Sequence, residues 1–207
     1  MAAVTAMPPI TQRDHARRVR AITRAEKDRF AAAMTMAFSA DPVARWAWPD
    51  PLQYLHVMVP LVDLFGGKAF DHGSAYVVED FVAVAQFLPP GVHPDDAGLV
   101  ALFRQHMAEP RLGQLISLFE QMAGFHPREP HWYIPLVGVE PMIQGCGYGS
   151  LLMRHALAVC DRQRQLAYLE ATCPANRTFY VRHGFRVLGE IRSGDSPPLF
   201  PMVREPR

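Results

Sequence analysis

The sequence predicts an α/β (α+β) fold in which a mixed central sheet is flanked by helices. Residues 73–79 and 81–88 are consecutive apolar runs with a tight junction, a pattern typical of an antiparallel hairpin. Further along, a strand-like run at 131–139, a helix-like run at 151–160 and a strand-like run at 166–172 form a βαβ unit, which joins parallel strands. Antiparallel strands followed by a βαβ unit give a mixed sheet.

The other elements follow from apolar periodicity between turn residues. Residues 24–40 carry apolar side chains at helical spacing and stop at Asp41-Pro42, which predicts a helix. Residues 52–65 predict a second helix that is interrupted near Pro60, because proline lacks the N–H that a helix interior needs. The remaining predicted elements are a strand at 19–23, a loop or broken helix at 45–50, amphipathic helices at 95–108 and 111–123, a short helix from Asn176, and strands at 185–191 and 199–204.

Composition predicts one enzyme-sized domain at 19–207 after a flexible N-terminal leader at 1–18 that lacks the long apolar segment of a secretory signal. Lys plus Arg number 21 and Asp plus Glu 20, so no basic field recruits nucleic acid. No apolar run is long enough for a membrane span, so we expect no membrane partner. The three cysteines lack Cys-x-x-Cys spacing, which favours a reducing, cytoplasmic location and argues against a metal site.

The stretch Gln144-Gly145-Cys146-Gly147-Tyr148-Gly149-Ser150 places three alternate glycines between a predicted strand and a predicted helix. Glycines let successive backbone N–H groups turn toward one point, and the helix N-terminus adds its positive dipole end, so this loop can hold a pyrophosphate. A P-loop is excluded because the stretch has no lysine. A dinucleotide fingerprint fits poorly because the third glycine comes one residue early. The pattern that remains is Gln-x-x-Gly-x-Gly.

From about Val19 to the C-terminus, the chain resembles the GNAT superfamily of N-acetyltransferases, most nearly its puromycin N-acetyltransferase-like branch. Residues 137–141 and 144–150 resemble the strand and loop of the family's motif A. Tyr168-Leu169-Glu170-Ala171-Thr172, Pro174-Ala175-Asn176 and residues 179–185 resemble motif B. Two departures stand out. Cys146 replaces the Arg or Lys of many relatives, and Cys173 replaces an Asn, whereas Asn176 is retained.

The resemblance implies a mostly antiparallel sheet whose two central strands splay apart, with acetyl-CoA as co-substrate and its pantetheine arm in the gap. Backbone N–H groups near Val137 and Val139 would face the thioester carbonyl as an oxyanion hole. The cofactor-binding residues implied in this way are Val137, Gly138, Val139, Gln144, Gly145, Cys146, Gly147, Tyr148, Gly149, Ser150 and Asn176.

Tyr180 is the predicted catalytic acid. It lies four residues after Asn176 and four before Gly184, so the two polar side chains share a helix face that a left-handed glycine can end. A phenol has a reference pKa near 10 and can protonate a departing thiolate while staying neutral at neutral pH. A core tyrosine is the alternative for Tyr180, and a helix N-cap is the alternative for Asn176.

Glu170 is the predicted base, because it lies toward the end of the motif B strand, where the splayed strands should open onto the acceptor. An exposed strand carboxylate is the alternative. His131 lies on the same strand face as Tyr133 and has a suitable pKa, so it is a second candidate. A covalent acetyl group on Cys146 is disfavoured, because no His or Lys is placed by sequence to lower the pKa of its thiol.

The acceptor pocket is predicted to be lined by the loop 41–51 with Trp46 and Trp48, together with Tyr54 and His72. Aromatic walls and a carboxylate suit a small amine with a flat or apolar body. The two tryptophans are alternatively core or oligomer anchors, so a homodimer stays open. The predicted function is acetyl-CoA-dependent transfer of an acetyl group to a primary amine of a small molecule. The alternatives are a non-catalytic acyl-CoA-binding module and a protein N-acetyltransferase with an open acceptor groove.

Overall fold

A computed structural model describes residues 18–207, so the predicted leader lies outside the described residues except for Arg18. Within this range, seven strands form one sheet in the order β1-β2-β3-β4-β5-β7-β6. The β4–β5 pair is parallel and the other neighbouring pairs are antiparallel, which confirms the mixed, mostly antiparallel sheet. The strands are β1 Val19–Ala21, β2 Ala75–Val78, β3 Ala83–Leu88, β4 His131–Val139, β5 Leu166–Ala171, β6 Arg186–Val187 and β7 Phe200–Arg204.

Helices cover both faces of the sheet. The first five contribute to one hydrophobic core, whereas α6 and α7 contribute to the other. None of the helices among residues 18–207 combines the length and the apolar character that crossing a bilayer requires. The helices are α1 Lys27–Ala37, α2 Pro42–Ala47, α3 Pro51–Gly66, α4 Asp96–His106, α5 Arg111–Phe125, α6 Tyr148–Gln163 and α7 Pro174–Arg182.

One helix prediction needs correction. Helix α3 runs through Pro60 without interruption, because Val57, Met58 and Leu61 around it are buried and together outweigh the roughly 3 kcal/mol cost of an internal proline. The segment 45–50, predicted as a loop or a broken helix, contains the break between α2, which ends at Ala47, and α3, which begins at Pro51. Helix α2 forms because the carboxylate of Asp41 caps the backbone N–H groups of Val43 and Ala44.

The predicted strand at 185–191 is also too long. It forms as the short β6, and Ile191 then makes only an isolated bridge to Leu199. Between the end of β6 and this bridge, the N–H of Leu188 donates to the carbonyl of Pro201 at 2.8 Å. Pro201 has no N–H to donate in return, so the ladder cannot continue there as a regular antiparallel pair.

The central strands β4 and β5 diverge, as the resemblance implies. They pair only over 131–133 and 166–168. From the end of this stretch, β4 is bulged against β3. Tyr133 lies opposite Leu88 and Leu136 lies opposite Gln86, so β4 has one more residue than β3 over this interval, around Pro135. A bulge bends a strand, and proline is tolerated there because it needs no ladder donor. The edge of β4 that faces β5 therefore has no strand partner over 134–139 among the described residues.

Candidate active site

Two adjoining cavities lie at the open end of the β4–β5 gap. The first, here called the loop cavity, measures about 440 Å³ and is lined by β4 residues 137–139, the glycine loop and one side of α7. The second, here called the apolar cavity, measures about 110 Å³ and lies between the sheet and helices α2, α3 and α5. The residues lining both cavities are Phe38, Asp41, Val137, Asn176 and Tyr180.

The loop cavity takes part of its lining from the glycine loop. Gly145 and Gly147 have φ of 80° and 90°, which side chains with a Cβ rarely adopt. Gly147 is the N-cap of α6, and its carbonyl oxygen accepts a hydrogen bond from the N–H of Leu151. Gly149 and Ser150 line the cavity, and their backbone N–H groups belong to the first turn of α6, at the positive end of the helix dipole. This is an arrangement suited to a phosphate group.

Side chains of the glycine loop serve mainly to hold its shape. The amide of Gln144 donates to the carbonyl of Val139 at 3.2 Å and ties the loop to the end of β4. The hydroxyl of Ser150 lies 3.1 Å from His183 Nε2. Cys146 is exposed and outside the cavity lining, and its backbone N–H donates to Ile143 O at 3.3 Å. Cofactor binding by Cys146 stays a prediction.

Two further features of the loop cavity concern charge and packing. Arg182 of α7 lines it and supplies a guanidinium that the loop itself lacks at Cys146. The sequence motif contained Arg182, but its spacing gave no reason to assign it a role.

A Cβ at Gly138 would lie 2.6 Å from the Cβ of Ala37 and 2.9 Å from Met34 Sδ. Gly138 thus lets α1 approach the strand that lines the cavity.

Helix α7 begins earlier than the sequence predicted. Its N-cap is Cys173 and Pro174 occupies the first helical position, so the N-cap interpretation of Asn176 is wrong. Asn176 instead donates from Nδ2 to Thr172 Oγ1 at 3.2 Å, and the Thr172 hydroxyl donates to the Asp41 carboxylate. The helix ends before Gly184, whose φ of 91° fits the predicted left-handed stop.

Tyr180 is buried and lies where the two cavities meet, with 9% of its surface exposed. Burial raises its pKa above the usual value for tyrosine, and the negative charge of Asp41 raises it further. The phenol is therefore protonated at neutral pH. A protonated hydroxyl between two cavities can donate a proton to a group bound in either one.

Glu170 is buried, which excludes the exposed strand carboxylate considered above. Its side chain is 5% exposed and lines the apolar cavity. Oε2 accepts a hydrogen bond from the Tyr133 hydroxyl at 3.0 Å, whereas Oε1 is buried with no hydrogen-bond partner among the described residues. Burial raises the pKa of Glu170 to about 7, against the lowering effect of the hydroxyls of Tyr168 and Tyr133. The Tyr168 hydroxyl donates its hydrogen bond to Met122 O at 3.5 Å and acts on Glu170 only as a nearby polar group.

His131, the second candidate base, reaches Glu170 only through a residue that the sequence did not single out. His126 follows α5, and its Nε2 lies 3.6 Å from Glu170 Oε1. Its Nδ1 lies 3.1 Å from His131 Nε2, and His131 Nδ1 lies 2.8 Å from the carbonyl oxygen of Glu129. Burial lowers the pKa of His126 to about 4, and the neighbouring histidines 131 and 93 add to the effect.

Of the four side chains predicted to line the acceptor pocket, one lines the apolar cavity. Trp48 lines the apolar cavity, and its buried Nε1 has no acceptor in the part of the chain that the structure describes. Trp46 lies outside it and donates to Asp195 at 3.1 Å. Tyr54 is a core residue whose hydroxyl donates to Thr35 O at 2.6 Å, and His72 is not part of the lining.

Most of the apolar cavity comes from residues that no sequence pattern marked as part of a site. Helices α3 and α5 supply aliphatic and aromatic side chains. The polar residues at the mouth shared with the loop cavity are Asp41, Asn176 and Tyr180, and burial raises the pKa of Asp41. Among residues 18–207, no three His, Cys, Asp or Glu side chains are grouped so that they could hold a metal ion. The main apolar side chains are those of Phe38, Met58, Leu61, Phe65, Leu115, Leu118, Phe119, Met122 and Leu199.

Comparison with known proteins supports an acetyltransferase fold. Residues 107–187 match the family model described as an acetyltransferase (GNAT) domain. The chain is 27% identical over 193 residues to an uncharacterized N-acetyltransferase of Schizosaccharomyces pombe, covering 85% of this chain and 78% of the relative. These matches do not bear on the puromycin N-acetyltransferase-like branch, which stays a prediction.

Solved structures agree over nearly the whole chain. A Corynebacterium glutamicum protein described as histone acetyltransferase HPA2 and related acetyltransferase superposes with a TM-score of 0.65 at 27% identity, covering 92% of this chain and 97% of that one. The Drosophila melanogaster polyamine N-acetyltransferase superposes with a TM-score of 0.63 at 14% identity, covering 91% and 99%. At that lower identity, the likeness shows the fold alone. The fold is the one that these acetyltransferases share.

Proposed function

We propose that this protein transfers an acetyl group directly from acetyl-CoA to the primary amine of a small molecule. The observation that carries the proposal is the junction of the two cavities at Tyr180, with a phosphate-type loop on one side and a buried carboxylate on the other. Direct transfer needs both reactants to meet at one point, and this junction supplies such a point.

The loop cavity fits acetyl-CoA on three counts. A Cβ added at Gly145 would meet no atom within 4 Å, so the approach to the backbone of this turn is open. The N-terminus of α6 and Arg182 provide the positive charge that a pyrophosphate needs. The unpaired edge of β4 at 134–139 can pair with the amides of an extended arm. When bound, acetyl-CoA supplies a reactive thioester, and the N–H groups of Val137 and Val139 would stabilise charge on its carbonyl oxygen.

Glu170 and Tyr180 divide the proton transfers. Glu170, with its pKa of about 7, is ionised in a large fraction of molecules at neutral pH and accepts a proton from the incoming ammonium. Tyr180 stays protonated and donates to the departing sulfur. The two groups differ in environment, since Glu170 lines only the apolar cavity and Tyr180 lines both cavities.

The apolar cavity favours an amine with a compact apolar body. Its volume of about 110 Å³ is small, and the few polar atoms that line it are grouped at fixed points. The unpaired Nε1 of Trp48 would donate to an oxygen on the substrate, because leaving a buried donor unmatched costs about 1–3 kcal/mol. A protein substrate requires an open groove, and the small cavity favours a free amine over a peptide.

The experiment is a thiol-release screen with acetyl-CoA across amines, including matched pairs with and without an oxygen on the apolar body. We expect turnover with small apolar amines, and a Tyr180→Phe variant should lose about 10²-fold in turnover with acetyl-CoA affinity nearly unchanged. Tyr76→Phe is the matched control, because Tyr76 is a buried tyrosine outside both cavities.

Three results would each overturn the proposal in a different way. Binding of acetyl-CoA without acetylation of any amine would indicate the non-catalytic module. Activity confined to peptide N-termini or lysines would indicate a protein N-acetyltransferase. Turnover of Tyr180→Phe within about twofold of Tyr76→Phe would make Tyr180 structural.

A further inference from the structure

The contact between Glu170 and His126 goes beyond the acid and base roles just described. Glu170 must lose the proton that it takes from each substrate before it can act again. Its carboxylate opens on a cavity that the acceptor fills, and its side chain is only 5% exposed. His126 lies against it with 26% of its side chain exposed, so it joins the buried carboxylate to solvent.

The hydrogen-bond direction along the histidines is fixed from one end. The backbone carbonyl of Glu129 can only accept, so His131 carries its hydrogen on Nδ1 and keeps a lone pair on Nε2. That lone pair accepts from His126 Nδ1–H, which leaves a lone pair on His126 Nε2. This lone pair faces Glu170 Oε1 at 3.6 Å. The chain therefore presents an acceptor, and not a donor, to the carboxyl group.

Glu170 is oriented to match. Its Oε2 accepts from the Tyr133 hydroxyl, whereas its Oε1 has no hydrogen-bond partner among the described residues. A proton taken up by the carboxylate is therefore best placed on Oε1, where it points toward His126 Nε2. A shift of about 0.5 Å would bring these atoms within hydrogen-bond distance.

We propose that His126 carries the proton of Glu170 to solvent after each turnover, with His131 fixing its tautomer; this role rests on the proposed function of Glu170 as the base. The O–H bond at Glu170 Oε1 breaks as an N–H bond forms at His126 Nε2. The resulting imidazolium then loses that proton to a solvent base, and both side chains return to their starting states. His131 acts through His126 and is a positioning residue.

The surroundings keep His126 neutral until it receives that proton. Burial and two neighbouring histidines lower its pKa to about 4, below the value of about 7 for Glu170. The proton therefore stays on His126 only briefly, because the imidazolium is the stronger acid of the two and gives the proton up to solvent. The titratable groups around the Glu170–His126 contact are Tyr168 of β5, Tyr133 and His131 of β4, His93 in the loop before α4, and Asp96 of α4.

The test uses the time course of the first turnovers with an amine identified by the screen. Near about pH 8, Glu170 starts ionised, so the first acetyl transfer needs no help from His126. We expect His126→Phe, which keeps an aromatic ring, to show a burst of one product per enzyme and then a steady rate lower by about tenfold. His126→Ala should show the same burst, and added imidazole should restore its steady rate. His155→Phe is the control, since His155 also contacts a tyrosine ring but lies outside both cavities.

The outcomes separate this proposal from the one on which it rests. If Glu170→Gln loses the acidic limb of the pH profile while both His126 variants keep wild-type steady rates without a burst, Glu170 is the base and the role of His126 is wrong. If Glu170→Gln keeps its acidic limb, the assignment of the base fails first. If the steady rate of His126→Ala is lowered and added imidazole does not raise it, the role of His126 is also wrong.

Discussion

The loop cavity owes its positive end to one continuous stretch, the glycine loop at 144–150 with the helix start inside it, whereas the apolar cavity is assembled from side chains of several separate helices and strands. In the first, a helix dipole and turned N–H groups provide a fixed positive potential. In the second, burial shifts the pKa of side chains such as Glu170. Binding of an anionic cofactor and proton transfer are thus assigned to different kinds of structure.

The two cavities should therefore respond differently to pH and to mutation. Backbone dipoles do not titrate, so affinity in the loop cavity should vary little with pH, and it should depend on φ angles more than on side-chain identity. In the apolar cavity, the chemistry should depend on pH and on the identity of single side chains. Replacing one titratable side chain there should change turnover and its pH dependence while leaving cofactor binding intact.

The largest expected effect comes from Glu170→Gln. We expect turnover to fall by about 10²-fold or more, with nearly unchanged acetyl-CoA affinity. Because the pKa of Glu170 is raised to about 7, the wild-type rate should fall as pH drops below about 7, and this limb should vanish in the variant. Rate–pH profiles with saturating acetyl-CoA measure both effects, and a variant that retains the limb would contradict the assignment of the base.

The same substitution changes stability in a direction that can be checked. The folded pKa of Glu170 lies above the unfolded value of 4.5, so the folded state binds more protons between about pH 4.5 and 7. The free energy of unfolding of wild type therefore decreases as pH rises through that window. Glu170→Gln lacks this decrease, and its stability relative to wild type should rise by on the order of 2–3 kcal/mol from about pH 4 to 8. Denaturant unfolding at several pH values measures it, with Asp80→Asn as an exposed control.

The two cavities also differ in how far the sequence could predict them. The loop was readable because its function depends on glycines and a helix start that are contiguous in the chain, and β4 ends at Val139 as predicted. The strands other than β6 and the mixed sheet followed from local periodicity, whereas the role of Tyr180 rests on its spacing to Asn176 and on the family resemblance and stays a prediction. Where a prediction failed locally, as at Pro60 and Asn176, tertiary burial or a better N1 residue decided the outcome.

The apolar cavity was mostly beyond sequence reasoning. His126 reaches Glu170 only because α5 ends beside β5, 44 positions away in the chain, and no spacing rule connects them. Nothing in the sequence favoured Trp48 over Trp46 as a lining residue. In the structure, Trp48 lines the apolar cavity, whereas Trp46 donates a hydrogen bond to Asp195. Glu170 gave no sign of its burial, because a single carboxylate in a strand is usually exposed.

A third prediction tests whether the backbone of the glycine loop holds the cofactor. Gly147→Ala places a Cβ on a residue with φ of 90°, which should distort the cap of α6 and weaken acetyl-CoA binding by about tenfold. Gly91→Ala is a matched control, because Gly91 has φ of 81°, has open space where a Cβ would stand, and lies outside both cavities. Calorimetric titration should show the loss only for Gly147→Ala, although both variants carry comparable strain. Equal affinities would remove the loop from the binding site.

The smallest expected effect concerns the one cationic side chain that lines the loop cavity among the described residues. Arg182 is exposed, so its attraction for a phosphate is screened by water and salt. Arg182→Gln should weaken acetyl-CoA binding by about two- to fivefold near 50 mM salt, and the difference should disappear by about 500 mM, where the Debye length falls to a few ångströms. Turnover at saturating acetyl-CoA should not change, because Arg182 lies outside the apolar cavity. Arg186→Gln is the control, being an exposed arginine four residues away that does not line either cavity. A loss that persists at high salt would mean that Arg182 makes a direct, desolvated contact, and side chains would then share the work of the loop backbone.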